Sequence, residues 1–236
     1  DDRGYSQGYQ LVKSTEVRMQ RRADWMLSEM NATKNSSILE IGCGTGEVAH
    51  WIAEKTPAFV LGTDLCVPFI EQAKKNFQLP NLRYDILDFN KADQFKGERF
   101  DYIIGNGILH HLYWRIEDAM VNMKRLLKEN GKIIFIEPNY YNPYIYFIFT
   151  YAWLRKLTHL EPDEMAFSKS FILDKLRHAG YKEINVEYKD FLVPGVPDFL
   201  IRPSIAVGDV LEKIPLVKNV SQSLFIRATR MSEMGK

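Results

Sequence analysis

Three glycines at alternate positions mark the stretch of this sequence best suited to binding chemistry: Gly42, Gly44 and Gly46. An apolar run at 38–41 precedes them, and a helix-like pattern begins at Glu47. Because glycine has no Cβ atom, a ligand can approach the backbone of such a turn closely. The helix N-terminus behind the turn offers N–H groups to polar ligands. The pattern therefore indicates a strand, a tight turn and a helix that together hold a nucleotide-like ligand.

Two further apolar runs are followed by side chains that could take part in the same chemistry. Asp64 ends the run 59–63, where a carboxylate is placed to accept hydrogen bonds from a ribose. The pair His110 and His111 follows the run 100–104, and imidazole, which titrates near neutral pH, suits a base. A histidine pair at this place can also pack or cap a helix, so both roles stay open.

Alternating strands and helices are predicted to position these residues. The strand-like runs lie at 38–41, 59–63, 82–84, 100–104, 132–137, 184–188 and 223–228. Helical patterns lie at about 14–30, 67–77, 113–128, 170–179 and 204–213. This alternation predicts an α/β fold in which helices cover both faces of a parallel sheet.

Composition narrows the class of protein. The 236 residues suffice for one α/β domain, and 46% hydrophobic with 26% charged residues is typical of a soluble globular chain. A formal net charge of +1 gives no basic footprint for nucleic acid. No apolar run of about 18 residues is visible, so we expect no membrane span. Two cysteines, Cys43 and Cys66, favour a reducing, cytoplasmic environment over a disulfide framework.

An aromatic-rich segment at 139–157 follows the fifth strand. On one helix, Tyr144, Phe147, Ile148 and Tyr151 would share a face, with further aromatics on the other faces. Three interpretations stay open: a cap packed on its own domain, a surface for a substrate with an apolar portion, or peripheral contact with a membrane. The sequence does not decide between a monomer and a homodimer.

The motifs resemble the class I S-adenosylmethionine-dependent methyltransferases from about residue 36 to 137, with weaker support from the last two strands. Four pieces carry the resemblance: Leu39-Glu40-Ile41-Gly42-Cys43-Gly44-Thr45-Gly46, Gly62-Thr63-Asp64, Asp85-Ile86, and Phe100 through Asn106-Gly107-Ile108-Leu109-His110-His111-Leu112. Nicotinamide-binding domains use Gly-x-Gly-x-x-Gly instead, and here Glu47 stands where their third glycine would fall. The spacing therefore favours the methyltransferase family.

The resemblance implies a Rossmann-like fold with a seven-stranded, mostly parallel sheet whose last strand is antiparallel. It implies one methyltransferase domain over 1–236, with the following parts: a helical lid at 1–35, the cofactor-binding core at 36–137, the cap insert and a helix at 138–180, and C-terminal strands with a helical insert at 181–236.

The resemblance also implies S-adenosylmethionine as cofactor and S-adenosylhomocysteine as product. The implied cofactor-binding residues are Glu40, Gly42, Cys43, Gly44, Gly46, Asp64, Leu65, Asp85, Ile86, Asn106 and Gly107. Glu40 would meet the cofactor's ammonium group, and Asp64 both ribose hydroxyls. Asp85 would accept a hydrogen bond from the adenine amino group, with Asp88 as the alternative. The backbone at Asn106 and Gly107 would pass beneath the sulfonium.

For catalysis, the resemblance to phosphoethanolamine methyltransferases suggests a histidine after Ile108-Leu109 working with an N-terminal tyrosine. His110 is the first candidate base, His111 the second, and Tyr9 or Tyr5 the tyrosine. Proximity alone is the competing mechanism. We expect methyl transfer to an oxygen or nitrogen of a small, amphipathic (lipid- or sugar-linked) molecule, with no metal site assigned. The alternatives are a catalytically silent cofactor-binding partner subunit and a nicotinamide-dependent oxidoreductase.

Overall fold

Seven strands form one sheet in the computed structural model, which describes residues 12–158 and 160–231. The strands are β1 (Ser37–Ile41), β2 (Phe59–Asp64), β3 (Leu82–Ile86), β4 (Phe100–Asn106), β5 (Leu127–Pro138), β6 (Tyr181–Lys189) and β7 (Ser223–Arg230). Their order across the sheet is β3-β2-β1-β4-β5-β7-β6. Pairs among the first five are parallel, whereas β7 runs antiparallel to both β5 and β6. The predicted sheet, with its antiparallel last strand, is confirmed.

Helices cover both faces of this sheet. They are α1 (Lys13–Ser28), α2 (Glu47–Lys55), α3 (Val67–Asn76), α4 (Ile116–Leu126), α5 (Pro143–Thr150), α6 (Ala152–Leu157), α7 (Lys169–His178) and α8 (Asp198–Leu211). One buried cluster joins α1, α2 and α3 to one face through residues such as Met26, Ile52 and Ile70. A second cluster joins α4 and α7 to the opposite face through residues such as Met120 and Leu176. The two cores hold the strand ends in a fixed register.

The strand order reverses between β1 and β4, because the chain first adds β2 and β3 on one side of β1 and then crosses to the other side. In open α/β sheets, ligands bind in the crevice outside the carboxyl ends of the strands at such a reversal. The glycine turn follows β1, and Asn106 is the last residue of β4. Both predicted cofactor segments therefore flank this crevice.

Two helix boundaries differ from the prediction. We expected a helix to run to Lys128 and stop at Asn130-Gly131, but α4 ends at Leu126 and the chain enters β5 at once. Asn130, with φ of 59°, makes a turn inside the strand segment instead. The insert helix α8 begins at Asp198, earlier than expected, because Pro203 lies inside the helix and does not precede it.

The aromatic segment forms two helices in place of the single predicted one. The chain leaves the helical conformation at Tyr151, with φ of −92° and ψ of 120°, so α5 and α6 are separate. Ile148 and Phe149 are buried, whereas Tyr144, Phe147 and Tyr151 are exposed. Ile148 therefore leaves the expected common face, whereas the rings of Phe147 and Tyr151 stack at 5.7 Å between centroids. None of the described helices is both long and apolar enough to span a bilayer.

Candidate functional site

A cavity of about 260 Å³ opens at the crevice between the glycine turn and α1. The glycine turn and the strand ends contribute Glu40, Gly42, Cys43, Gly44 and Asn106, all predicted from the sequence. The helix α1 contributes Thr15, Arg18, Met19 and Arg22. Thr45, Glu47 and Val48 complete the lining. The structure thus brings five of the expected cofactor residues together under the N-terminal helix.

The glycine turn has the shape that a cofactor backbone contact requires. Gly46, which precedes α2, has φ of 93°, and a Cβ atom there would come within 2.7 Å of the Tyr84 hydroxyl. That hydroxyl donates a hydrogen bond to the Gly46 carbonyl at 2.7 Å and fixes the turn from below. Gly44 differs, because a Cβ atom there would meet nothing within 4 Å. The space above Gly44 is therefore open to a ligand.

Glu40 supplies the strongest test of whether the cavity suits the expected cofactor. Its side chain is buried, and within the described residues its Oε2 atom has no hydrogen-bond partner. Burial, and next the negative charge of Glu47, raise the pKa of Glu40 well above its ordinary value. A buried carboxylate oxygen without a partner is unfavourable unless a cation or donor meets it. The ammonium group of S-adenosylmethionine fits this requirement.

Asp64 ties the ends of two strands to the glycine turn. Its Oδ2 atom accepts a hydrogen bond from the Gly44 N–H at 2.9 Å, and Oδ1 accepts one from the Cys66 N–H at 2.9 Å. A carboxylate has about four acceptor positions, so both oxygens retain capacity for further donors. The neighbouring Leu65 is 65% exposed at the same edge of the sheet. Asp64 thus combines a structural role with a position beside the cofactor turn.

Asp85 is placed differently from the other expected residues. The register pairs Thr63 with Asp85 and Asp64 with Ile86, so Asp85 projects from the face opposite to Asp64. It forms ion pairs with Arg83 and, at 3.8 Å, with Lys74. It also lines a separate cavity of about 540 Å³ beside α3. These contacts argue against the expected adenine contact of Asp85, because its carboxylate is engaged elsewhere.

The other residues of this segment lie at the cofactor edge. Ile86 is 45% exposed at the end of β3, on the same face as Asp64. Asp88 follows the strand, and its Oδ1 atom accepts hydrogen bonds from the Asn90 N–H and side-chain amide at 3.0 and 3.1 Å. Asp88, the alternative from the sequence, also forms an ion pair, with Lys91 at 3.7 Å, so it differs from Asp85 in its place beyond the strand end and not in having no partner.

The end of β4 is held by an N-terminal arginine that the sequence analysis did not identify. Arg22 of α1 donates to the Asn106 side-chain oxygen at 2.8 Å and to Asp190 at 2.8 and 3.0 Å. Arg18 donates to the same Asp190 oxygen at 2.7 Å. Asp190 follows β6, 168 residues after Arg22, so no local sequence pattern indicates that the two residues form an ion pair. This network fixes α1 over the cavity.

His110 lies just beyond Gly107, in the 3₁₀ helix Leu109–Arg115. A Cβ atom on Gly107 would lie 3.7 Å from Cε1 of His110, so the imidazole edge faces the strand end. The Nδ1 atom of His110 lies 2.9 Å from Oε2 of Glu137. Glu137 also accepts the backbone N–H groups of Ile108 and Leu109 at 3.0 and 2.7 Å. A carboxylate in this acceptor role favours the tautomer with the proton on Nδ1, and Nε2 then lies 4.0 Å from Oε2 of the buried Glu164.

His111 pairs with Glu164, a buried acid from the segment between α6 and α7. Its Nδ1 atom lies 2.9 Å from Oε1 of Glu164. Burial alone would lower the pKa of His111, but the hydrogen bond and charge of Glu164 raise it above the ordinary value. Burial alone would likewise raise the pKa of Glu164, but the His111 contact lowers it. Glu137 and Glu164 had no sequence signal, since each lies far from the histidines along the chain.

The remaining residues considered from the sequence lie away from the cavity or outside the described residues, except for Cys43. Arg155, at the end of the aromatic segment, donates to the carbonyls of Phe149, Glu161 and Glu164, so its guanidinium holds the cap together. Tyr9 and Tyr5 lie outside the described residues. Cys43 and Cys66 are free thiols, and burial raises the pKa of Cys43.

Comparisons with known proteins agree with this geometry. Residues 38–131 match the family model described as "Methyltransferase domain". A ribosomal protein L11 methyltransferase from Lactobacillus johnsonii is 35% identical over 109 residues, covering 45% of this chain and 33% of that protein. The chain therefore spans only a third of that relative. The ubiquinone/menaquinone biosynthesis C-methyltransferase UbiE from Desulfotalea psychrophila is 26% identical over 66% of this chain and 69% of its own.

A solved structure supports the same fold. The SAM-dependent methyltransferase from Archaeoglobus fulgidus superposes with a TM-score of 0.64 at 16% identity, covering 91% of this chain and 93% of that one. The family match and the relatives favour a methyltransferase over a nicotinamide-dependent oxidoreductase. The chain therefore contains a methyltransferase domain at residues 38–131, and the proteins that share its fold include S-adenosylmethionine-dependent methyltransferases.

Proposed function

We propose that this methyltransferase transfers the methyl group of S-adenosylmethionine to an oxygen or nitrogen of a small molecule. The observation that carries the proposal is the cavity that Glu40, Gly44 and Asn106 line. Gly107 follows Asn106 directly, and Cε1 of His110 lies 3.7 Å from where a Cβ atom on Gly107 would be. A methyl group held above Gly107 would face His110. The acceptor atom would then approach the sulfonium carbon in line, at about 3–3.5 Å.

The proposed cofactor contacts extend from the cavity along the neighbouring strand ends. Glu40 binds the ammonium group, and Asp64 accepts from the ribose hydroxyls. Backbone groups of the turn line the methionine and ribose portions: Gly42, Cys43, Gly44 and Gly46. Leu65 and Ile86 flank the adenine, and Asp88 replaces Asp85 as acceptor for its amino group. Asn106 and Gly107 lie beneath the sulfonium.

The acceptor's proton passes to Nε2 of His110 in this proposal. Glu137 supports that assignment because it accepts from Nδ1 and stabilises the imidazolium that forms. His111 is the second candidate, although its pairing with Glu164 occupies Nδ1. Tyr9, the expected partner of His110, lies outside the described residues.

An acceptor with an apolar portion is supported by exposed apolar side chains at the same edge of the sheet. Both α5–α6 and α8 connect to carboxyl ends of strands, after β5 and after β6. Phe199, Pro203, Ala206 and Val210 recur at helical spacing on α8 and are exposed, whereas Ile201 and Gly208 on the other side are buried. A lipid- or sugar-linked molecule, presented at a membrane surface, would cover such a face.

Turnover against a chemically broad panel tests the proposal. S-adenosylhomocysteine release is measured with phenols, amines and isoprenoid-linked sugars, and mass spectrometry identifies the methylated atom. We expect transfer to oxygen or nitrogen, lost in His110→Ala and kept in His178→Ala, whose imidazole is exposed. Cofactor binding without turnover on any acceptor would favour the silent partner subunit. A carbon product, as the name of the UbiE relative suggests for that protein, would contradict the proposed acceptor.

A further inference from the structure

Two imidazoles and a buried carboxylate converge beside the strand end that carries Gly107. One donor atom from each of His110, His111 and Glu164 lies within 4.8 Å of the other two. The Glu164 side chain is fully buried, and that of His110 is 10% exposed. The three residues come from two segments that a backbone bond joins, because the Met165 N–H donates to the His110 carbonyl at 3.1 Å. The cluster is therefore built into the fold.

The orientation of His110 makes the cluster suitable for a cation. Because Nδ1–H of His110 donates to Glu137, the lone pair of Nε2 faces Oε2 of Glu164 at 4.0 Å. A cation between these two atoms would meet a lone pair from each. A carboxylate behind a ligating histidine is also the usual outer partner that fixes its tautomer.

The charges of the surrounding side chains also favour a bound cation. Two buried carboxylates, Glu137 and Glu164, accompany the two imidazoles. One divalent ion neutralises both carboxylates while the imidazoles stay neutral, as metal ligands must be. Two nitrogen ligands and one oxygen ligand suit zinc, manganese, iron or cobalt better than magnesium or calcium, which prefer oxygen.

We propose that His110, His111 and Glu164 bind a divalent first-row transition-metal ion next to the methyl-transfer position. Zinc–nitrogen and zinc–oxygen bonds of about 2.0–2.2 Å at tetrahedral angles bring ligand atoms to about 3.4 Å from one another. Side-chain rotations would therefore draw the three donor atoms together from separations of up to 4.8 Å. Three protein ligands leave coordination positions open, the arrangement that catalytic metals use.

The proposal rests on the proposed function, because the ion would bind the acceptor. A hydroxyl oxygen on the ion loses its proton to water, since the cation stabilises the oxyanion. That oxygen forms the new bond to the methyl carbon as the carbon–sulfur bond breaks and its electron pair stays on sulfur. With the ion bound, His110 is a ligand and not the base. The metal-free chain would use His110 as described above.

Metal binding is measurable without knowing the acceptor. Tag-free protein is stripped with a chelator and titrated calorimetrically with zinc, manganese or cobalt chloride, and bound metal is counted by mass spectrometry. We expect about one ion per chain. Glu137→Gln, which alters the partner of His110 and not a ligand, should weaken binding about 10- to 100-fold, and His111→Ala or Glu164→Gln should weaken it further. His178→Ala, which removes an exposed imidazole, should leave the affinity unchanged.

Equal metal affinity in the native chain and Glu164→Gln, or no bound ion, would overturn the site and leave a simple His111–Glu164 ion pair. If the variants fail to fold, X-ray absorption at the cobalt edge of the native chain decides. Two imidazole ligands are expected, and an all-oxygen shell would contradict the proposal. S-adenosylhomocysteine binding is measured on the same stripped protein. Its failure would count against the proposed function, whereas loss of metal binding alone counts only against this site.

Discussion

The guanidinium of Arg22 donates a 2.8 Å hydrogen bond to the side-chain oxygen of Asn106 and so joins α1 to the end of β4. The same guanidinium is anchored on Asp190, whose side chain is 8% exposed. A buried ion pair therefore determines where the N-terminal helix lies over the cofactor cavity. The lid and the strand end should respond together when this pair is altered.

Asp190→Asn should destabilise the fold in a pH-dependent way. Burial would raise the pKa of Asp190, but the charges and hydrogen bonds of Arg22 and Arg18 hold it below the ordinary value. A lowered pKa gives stability that is present above the unfolded-state value of about 3.9 and is lost as the pH falls below it. Breaking a buried pair costs about 3–5 kcal/mol. Urea unfolding should show that loss at neutral pH and a shrinking difference below about pH 4.

Asp24→Asn is the matched control, because its ion pair with Lys55 is exposed and should contribute about 1 kcal/mol or less. If Asp190→Asn behaves like this control, or if its effect does not change with pH, the anchoring role of Asp190 is refuted.

Glu40→Gln should stabilise the cofactor-free protein while weakening cofactor binding. The pKa of Glu40 is raised by burial and by Glu47, so its ionised form opposes folding, and stability falls as the pH rises toward the folded-state pKa. Glutamine removes that charge at nearly constant shape. Loss of the charged contact to the ammonium group should weaken affinity about tenfold or more.

Denaturation curves and calorimetry with S-adenosylmethionine measure the two effects of Glu40→Gln, with the exposed Glu71→Gln as control. Unchanged affinity together with lower stability would mean that Glu40 is a structural residue only.

The sequence predicts the site well where one short stretch determines both the backbone conformation and the residues that line the cavity. The turn at Gly42, Gly44 and Gly46 is of this kind, and its glycines have φ of 64°, 53° and 93°. It failed where partners come from distant segments, as for Glu137 and Glu164. No local sequence pattern indicates that the end of β5, with Glu137, and the loop between α6 and α7, with Glu164, meet at the two histidines. The tight break at Tyr151 was missed as well, because the aromatic run reads as one helix.

Asp88→Ala should weaken cofactor binding more than Asp85→Ala. Asp85 faces away from Asp64 and pairs with Arg83 and Lys74, whereas Asp88 lies beyond the strand end and, within the described residues, pairs with Lys91 alone. Loss of one hydrogen bond to the adenine amino group should weaken affinity about 3- to 10-fold. Calorimetry compares S-adenosylhomocysteine with S-inosylhomocysteine, whose purine lacks the amino group. Removing that group should cost the native chain the same affinity as removing its acceptor. The reverse order of effects would restore Asp85 as the adenine acceptor.

Asp64→Ala should weaken cofactor affinity about tenfold or more through the lost ribose contacts. It also removes acceptors for the Gly44 and Cys66 N–H groups, so the turn itself could loosen. Tyr84→Phe separates the two effects, because it removes a turn hydrogen bond away from the ribose. Calorimetry should show a large loss for Asp64→Ala and a small one for Tyr84→Phe. Equal losses would assign Asp64 to the turn alone.

A crystal structure of the protein with S-adenosylhomocysteine tests the central claim most directly. The account predicts the ligand over Gly44, with its ammonium group on Oε2 of Glu40, its ribose hydroxyls on Asp64 and its sulfur above Gly107, facing His110. A ligand bound in the other cavity, beside Asp85 and Lys74, would contradict the account. So would a ligand whose sulfur points away from the histidine pair.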